Sequence, residues 1–318
     1  MSIFSAYKKL HNSGLLGMNR RNISYVSRYN PRSLFPVVDN KLTTKKLALE
    51  HQVSVPDLIG VIEDQSEVSS LKKYLPTDKG FCIKPAKGSG GKGILVIIDV
   101  KEDMYVRPNG DLISLEELER HVSNILAGLF SLGGGIDSTI IESLIVVDPL
   151  LASYSFEGVP DIRVIVFQGI PVMAMMRLAC AASHGKANLH QGAVGVGIDI
   201  ATGKAINAVQ NDELISLHPD TGQDLLQLEI PNWNSLLELA CSCFDMCGLG
   251  YLGVDLVLDS KKGPTLLELN ARPGLSIQIA NGIGLVPRLK KVEQLTRPER
   301  MSTAERIAFA QTHFALER

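Results

Sequence analysis

Apolar residues gather along most of the chain in short runs rich in Val, Ile and Leu, separated by glycine-, lysine- and serine-bearing breaks, which is strand-and-turn patterning. LGVDLVLD and PTLLELN flank Ser260-Lys261-Lys262-Gly263 and predict a hairpin. FCIKP and ILVIIDV flank a glycine-rich loop and predict a second, and DIRVIVFQGIPVMAMMRL predicts a third that turns at Gln168-Gly169. STIIESLIVV reads as a strand, and KANLHQGAVGVGIDI as a loop entering one. Helical spacing appears instead in NKLTTKKLALEHQV, EVSSLKKYLP, ISLEELERHVSNILAGLF, NSLLELACSCFDMC and MSTAERIAFAQTHFAL. The first of these ends before Val55-Pro56, where the chain becomes extended, and Ser114 with Glu117 forms a capping box that opens the third.

Polar residues inside the most apolar strands carry the candidate chemistry. If the turn centres between Lys261 and Lys262, Asp255 falls opposite Glu268; alternation then places Asn270 on the same face. Two carboxylates so close need a cation, and a set of carboxylate and amide oxygens suits a hard ion such as Mg²⁺ rather than zinc. The alternative is a solvated acidic hairpin, for which Val254, Leu256, Val257, Leu258, Leu266, Leu267 and Leu269 leave little wet surface.

Gly88-Ser89-Gly90-Gly91-Lys92-Gly93 fits GxGxxG. A strand follows it, whereas a dinucleotide fold requires a helix whose N-terminus holds pyrophosphate. A GxxxxGK[ST] loop is absent here, and neither HRD nor DFG occurs in the chain, so phosphate-loop and protein-kinase readings fall. What remains is a strand–loop–strand flap whose amides can close over phosphates beside Lys84, or a flexible hairpin tip.

Composition narrows the class without choosing the reaction. The 318 residues can hold two domains or one large two-lobed one, and a net charge of -2 shows no global affinity for nucleic acid or anionic membrane. The apolar start Ile3-Phe4 is cut short by Lys8 and Lys9, and no apolar run is long enough to span a bilayer, which points to a cytoplasmic protein. Five cysteines in no secreted-scaffold pattern fit reduced thiols; Cys241, Cys243 and Cys247 spread around one helix and read as buried rather than metal-binding.

Lys41, Lys84 with its glycine flap, the strand TIIESLI, then Asp255, Glu268 and Asn270 in this order resemble the ATP-grasp ligases, from Asp39 to about Gly284. GVDLVLDSKKGPTLLELNARPG and KANLHQGA are most similar to the alpha-L-glutamate ligase-like proteins, relatives of the ribosomal-protein glutamate ligase. The resemblance implies an α+β fold of two lobes clasping ATP: residues 39–145 as the small lobe with the flap, 146–318 as the large lobe with the Mg²⁺ site, and 1–38 as a short N-terminal segment in place of a full preceding domain.

It also implies roles. Lys41 and Lys84, with Gly88, Ser89, Gly90, Gly91 and Gly93, would contact ATP phosphates. Adenine would lie against Glu142, Ser143, Leu144 and Ile145, read by backbone groups of Ser143 and Ile145, and Asp148 would meet the ribose. Asp255, Glu268 and Asn270 would hold two Mg²⁺ ions, for which Mn²⁺ could substitute. Arg163 would stand near the γ-phosphate and acyl-phosphate and Arg272 near the substrate carboxylate, with Asn188 and His190 on a loop facing the cleft. The residue-level alternatives are a solvated Lys41, Arg163 and Arg177 paired with surface acids, and a plain loop histidine at 190.

The implied reaction is ATP-dependent joining of a carboxylate donor, glutamate or another amino acid, to an amine on a peptide or small molecule. Gln191 stands where the ribosomal-protein ligase has arginine, which leaves the donor open, and the short N-terminal segment suggests that a second copy or a partner protein completes the substrate site. Residues 147–160 read as a longer apolar connection that shapes the acceptor side or meets a partner. The competing functions are an ATP-binding scaffold without turnover and a phosphotransferase on the same fold.

Overall fold

A computed structural model describes residues 13–88 and 90–316, which divide into two compact units. The smaller comprises Asp39–Lys46 and Val55–Val146; the larger comprises residues up to Val38, Leu47–Ser54 and the chain from Val147.

The smaller unit is built on a four-stranded antiparallel sheet of β1 (Leu58–Ile62), β2 (Phe81–Pro85), β3 (Leu95–Ile97) and β7 (Thr139–Ser143), in the order β1-β7-β2-β3. β4 (Asp99–Lys101), β5 (Met104–Val106) and β6 (Leu112–Ile113) form a second small sheet. The predicted strand ILVIIDV is therefore broken at Ile98, whose N–H turns to the Val106 carbonyl (2.8 Å) and sends the chain into the other sheet. Helix Leu115–Leu126 presents Leu118, Val122, Ile125 and Leu126 at helical spacing to the core of Ile62, Leu71, Phe81, Ile83, Ile97 and Ile141. Each such side chain contributes roughly 1.5–3 kcal/mol by leaving water. The capping box is present: Ser114 Oγ accepts from Glu117 N (3.2 Å), and Glu117 Oε2 accepts from Ser114 N (2.8 Å). The helix stops short of its expected end because Gly128 takes φ +83° and a Cβ there would strike the Gly135 carbonyl oxygen at 2.4 Å. Of EVSSLKKYLP only EVSSLKK is helical, as part of a 3₁₀ helix, Gln65–Lys73, capped by Asp64.

The larger unit holds one seven-stranded antiparallel sheet: β8 (Asp161–Phe167), β9 (Ile170–Leu178), β10 (Val194–Ile198), β11 (Ala205–Gln210), β12 (Glu213–Ile215), β13 (Tyr251–Asp259) and β14 (Gly263–Asn270). Their order is β12-β11-β10-β9-β8-β13-β14, so the two predicted hairpins β8–β9 and β13–β14 lie side by side. Helices Trp233–Cys247 and Thr303–Phe314 pack on this sheet and on each other. Cys241, Cys243 and Cys247 are buried free thiols, with burial pushing Cys243 furthest above the ordinary thiol range. No helix among the described residues is long and apolar enough to cross a membrane.

Residues 18–29 form a continuous helical stretch, π-helical over Arg21–Val26, that the polar patterning did not reveal. Within the larger unit it is held by aromatic contacts, Tyr25 and Tyr29 both edge-on to Phe167 at 5.6 and 4.8 Å. Asn30 then spans strand ends, donating to the Tyr251 and Ala271 carbonyls and accepting from Tyr251 N.

Candidate functional site

The hairpin β13–β14 places Asp255 opposite Glu268 and Gly253 opposite Asn270, as the pattern predicted, though by a different route. The turn is one residue tighter, pairing Asp259 with Gly263, and Asp259 Oδ1 accepts from Lys261 N and Lys262 N. A register shift between Asp255 and Leu256 then leaves Leu267 as the extra residue and restores the pairing of Asp255 with Glu268. Such bulges re-aim side chains.

Asp255 is almost fully enclosed, 4% exposed, in a network of charges. Arg163 Nε donates to its Oδ1 at 2.6 Å and Arg163 Nη2 to its Oδ2 at 2.5 Å, while Arg177 Nη2 reaches Oδ2 at 2.8 Å. Arg177 Nε also donates to Asp161 Oδ1 at 2.5 Å, and Asn270 Nδ2 lies 3.3 Å from Asp255 Oδ2. Strand pairing brings them together, Asp255 opposite Arg163 and Asp161 opposite Arg177. The acids that pair with Arg163 and Arg177 are thus buried rather than surface ones.

Burial works to raise both carboxyls, but the two resolve differently. At Asp255 the guanidinium groups of Arg163 and Arg177 outweigh burial and hold the carboxyl at about 2. At Asp161 burial wins over the pull of Arg177, the negative charge of Asp255 adds to the rise, and the carboxyl is pushed up to about 6. Arg177 is itself raised by both acids against its burial. Sequence reasoning missed the roles of Arg177 and Asp161; the signal available was that the β8–β9 turn folds position 177 back beside position 161.

Glu268 and Asn270 are half-buried. Among the described residues no three His, Cys, Asp or Glu side chains gather as a metal site by themselves. Two carboxylates and an amide nevertheless suit Mg²⁺, which takes few protein ligands and completes its shell with water and phosphate oxygens. Asp255 Oδ2 accepts three of the bonds described and Oδ1 one, so Oδ1 is the oxygen with capacity for a cation.

In the smaller unit, Lys84 Nζ lies 2.5 Å from Glu142 Oε1, and Lys45 Nζ lies 2.8 Å from Glu142 Oε2 and donates to the Pro56 carbonyl at 2.5 Å. All three residues are buried, with exposures of 7%, 3% and 4% for Lys84, Glu142 and Lys45. Burial raises the Glu142 carboxyl, but Lys84 and Lys45 outweigh it and hold it below the ordinary value. Glu142, expected beside adenine, therefore directs its side chain into an ion network, and Lys45 was not foreseen.

Lys41 Nζ donates to the Gly88 carbonyl at 2.6 Å, at the root of the glycine loop. That root is tied down by Asp137, 2% exposed, which accepts from Lys87 N (3.0 Å), Ser138 N (2.8 Å) and Ser131 Oγ (2.5 Å). Gly90 and Gly93 adopt φ +63° and +75°; space beside Gly90 is open, while a Cβ at Gly93 would strike the Phe130 ring at 2.6 Å. Gly91 also has positive φ, +73°, and Ser89 lies outside the described residues.

The remaining expected residues have local partners. Ser143 N donates to the Asp57 carbonyl and Ser143 Oγ accepts from Asp57 N, both at 2.9 Å, so the Ser143 N–H is already engaged. Leu144 covers Gly80, Ile145 is half-buried, and the strand TIIES ends before both. Asp148 caps helix Pro149–Ala152, accepting from Leu150 N and Leu151 N, within the stretch expected to be a plain connection. Asn188 Oδ1 accepts from His190 N at 3.0 Å and shapes a 3₁₀ turn on which His190 is exposed. The Arg272 guanidinium lies 5.0 Å over the Phe35 ring.

The antiparallel sheets with their helices make an α+β fold, and the family match makes it an ATP-grasp protein. Residues 20–294 match the sugar-transfer associated ATP-grasp family, and the chain belongs to it. A search of curated proteins found no match. Among solved structures, the L-amino acid ligase from Bacillus licheniformis is 14% identical with a TM-score of 0.46, covering 85% of this chain and 51% of that one. The RimK domain ATP-grasp protein from Sphaerobacter thermophilus is 12% identical, TM-score 0.42, covering 83% and 70%. The ATP-grasp ligase PsnB in complex with a minimal precursor is 14% identical, TM-score 0.44; the match covers 83% of this chain and spans 61% of PsnB.

Proposed function

We propose that this protein is an ADP-forming carboxylate–amine ligase that works through an acyl-phosphate. The observation that carries the reading is the pairing of Asp255 with Glu268 beside Arg163, hard oxygen donors next to fixed cations on neighbouring strands. Asp255, Glu268 and Asn270 would hold Mg²⁺, which when bound supplies charge neutralisation to a triphosphate. Lys41 and Lys84 take phosphate oxygens, and the loop 88–93 closes over them.

A donor carboxylate oxygen attacks the γ-phosphorus, the bond from that phosphorus to the β–γ bridging oxygen breaks, and ADP leaves. Arg163 stabilises charge on the transferring group, and Arg272 orients the donor. An amine then attacks the acyl carbon, loses a proton, and expels inorganic phosphate as the C–O bond breaks. Water exclusion by the closed flap protects the acyl-phosphate. Asn188 acts by shaping the loop before β10. Of the backbone groups expected to read adenine, those of Ile145 would serve it, because the Ser143 N–H is held by the Asp57 carbonyl. Sugar-linked amines belong among the acceptors to be tested, because the family is described as associated with sugar transfer.

The test is ADP release from Mg²⁺-ATP with a panel of amino acids and sugar-linked amines, with hydroxylamine present to trap acyl-phosphate. Release that depends on one acid and yields its hydroxamate is expected. ATP binding with no release under any combination would support the scaffold reading, and ADP formation with a phosphorylated hydroxyl acceptor the phosphotransferase.

A further inference from the structure

We infer that His121 is a positioning residue for the glycine loop, holding its exit at Gly93; this rests on the reading of that loop as a flap over phosphates. The two roots of the loop are held from different helices. At the entry, Lys41 Nζ of helix Lys41–Glu50 donates to the Gly88 carbonyl at 2.6 Å, and Asp137 Oδ1 accepts from the neighbouring Lys87 N at 3.0 Å. At the exit, His121 Nε2 of helix Leu115–Leu126 lies 3.0 Å from the Gly93 carbonyl oxygen. A carbonyl only accepts, so this ring nitrogen carries the hydrogen.

The surroundings of Gly93 suit an anchored hinge. Its φ is +75°, and a Cβ there would strike the Phe130 ring, whose centroid lies 5.4 Å from that of the His121 ring. Gly93 is therefore packed against Phe130 while its carbonyl is tied to His121. Between the roots the chain is open: Gly90, Gly91 and Lys92 are exposed, and space beside Gly90 is free. A glycine loop has backbone freedom to lose when it closes on an anion, and fixing one end removes part of that cost beforehand. Without the bond to His121, Gly93 becomes one more free pivot. The effect on nucleotide runs through Gly93, not through a bond from His121 to phosphate.

Tryptic cleavage after Lys92, followed by fragment mass, reads the loop directly, and calorimetry gives the affinity for a non-hydrolysable ATP analogue with Mg²⁺. Cleavage after Lys79, exposed elsewhere in the smaller unit, is the reference. In the wild type the analogue is expected to slow cleavage after Lys92 and not after Lys79. His121→Leu should speed cleavage after Lys92 about fivefold without nucleotide and weaken the analogue about fivefold. His121→Gln, whose amide N–H can stand where Nε2 stands, should remain within about twofold of the wild type, whereas the shorter His121→Asn should resemble His121→Leu. Ser114→Ala weakens the same helix with His121 in place and should change neither reading. Wild-type cleavage and affinity in His121→Leu would overturn the inference. So would equal acceleration after Lys79 and Lys92, or a His121→Gln as loose as His121→Leu, each of which makes His121 merely structural. If His121→Leu does not fold, His121→Asn against His121→Gln decides. Analogue binding that leaves wild-type cleavage after Lys92 unslowed refutes the phosphate reading of the loop instead, separately from the effect of His121 on the unliganded loop.

Discussion

The two buried ion networks share a plan and differ in balance. In the smaller unit one carboxylate, Glu142, carries two lysines; in the larger, two carboxylates, Asp161 and Asp255, carry two arginines. The cations also differ in kind, because a buried lysine can shed its proton when its partner is lost and arginine cannot. A lysine cluster can therefore adapt to an arriving anion. An arginine cluster instead fixes its acids in place, and at Asp255 it keeps ionised an oxygen donor that burial alone would neutralise.

The largest expected effect follows from the arginine side. Asp255→Ala strands Arg163 and Arg177 without their shared acid and should cost about 3–5 kcal/mol in urea unfolding, besides abolishing ADP release. Glu268→Ala separates function from folding: Glu268 is only half-buried, so ADP release should fall on the order of a thousandfold while the unfolding midpoint moves little. Glu142→Gln sharpens the contrast, with an expected cost of about 2 kcal/mol that shrinks as pH rises and a lysine deprotonates.

The same variant carries a signature in acid. Glu142 has a folded pKa below its unfolded value, so its stabilisation is present above the unfolded pKa and is lost as pH falls through the folded one. Wild-type protein should lose stability on acidification below about pH 4.5 by more than Glu142→Gln does, as read from unfolding at successive pH values. Equal acid slopes would break the account of this network. The smallest effect lies outside both networks: Ser114→Ala removes the cap of helix Leu115–Leu126 and should cost about 1 kcal/mol with ATP affinity unchanged.

Much of this was legible in the sequence because alternation and turn chemistry act locally. The hairpins, the capping box and the pairing of Asp255 with Glu268 follow from such rules, although the last depends on a bulge at Leu267 that offset a tighter turn. What was not legible depends on contacts distant in sequence. Lys45 and Glu142 are separated by most of the smaller unit, and nothing local marks either as the other's partner. The helical stretch at 18–29 is held by Phe167 and Tyr251, so its polar, arginine-rich pattern alone predicts no element. Ile98 leaves its strand for a hydrogen bond to Val106, a choice made between two sheets rather than by propensity.

The most direct test of the ligase reading follows oxygen atoms. A donor acid labelled with ¹⁸O in its carboxylate is incubated with Mg²⁺-ATP and amine, and the released inorganic phosphate is analysed by mass. Passage through an acyl-phosphate predicts one labelled oxygen in each phosphate formed along with the amide. Unlabelled phosphate accompanying ADP release would mean that water, not the carboxylate, attacks the γ-phosphorus, and would contradict the account.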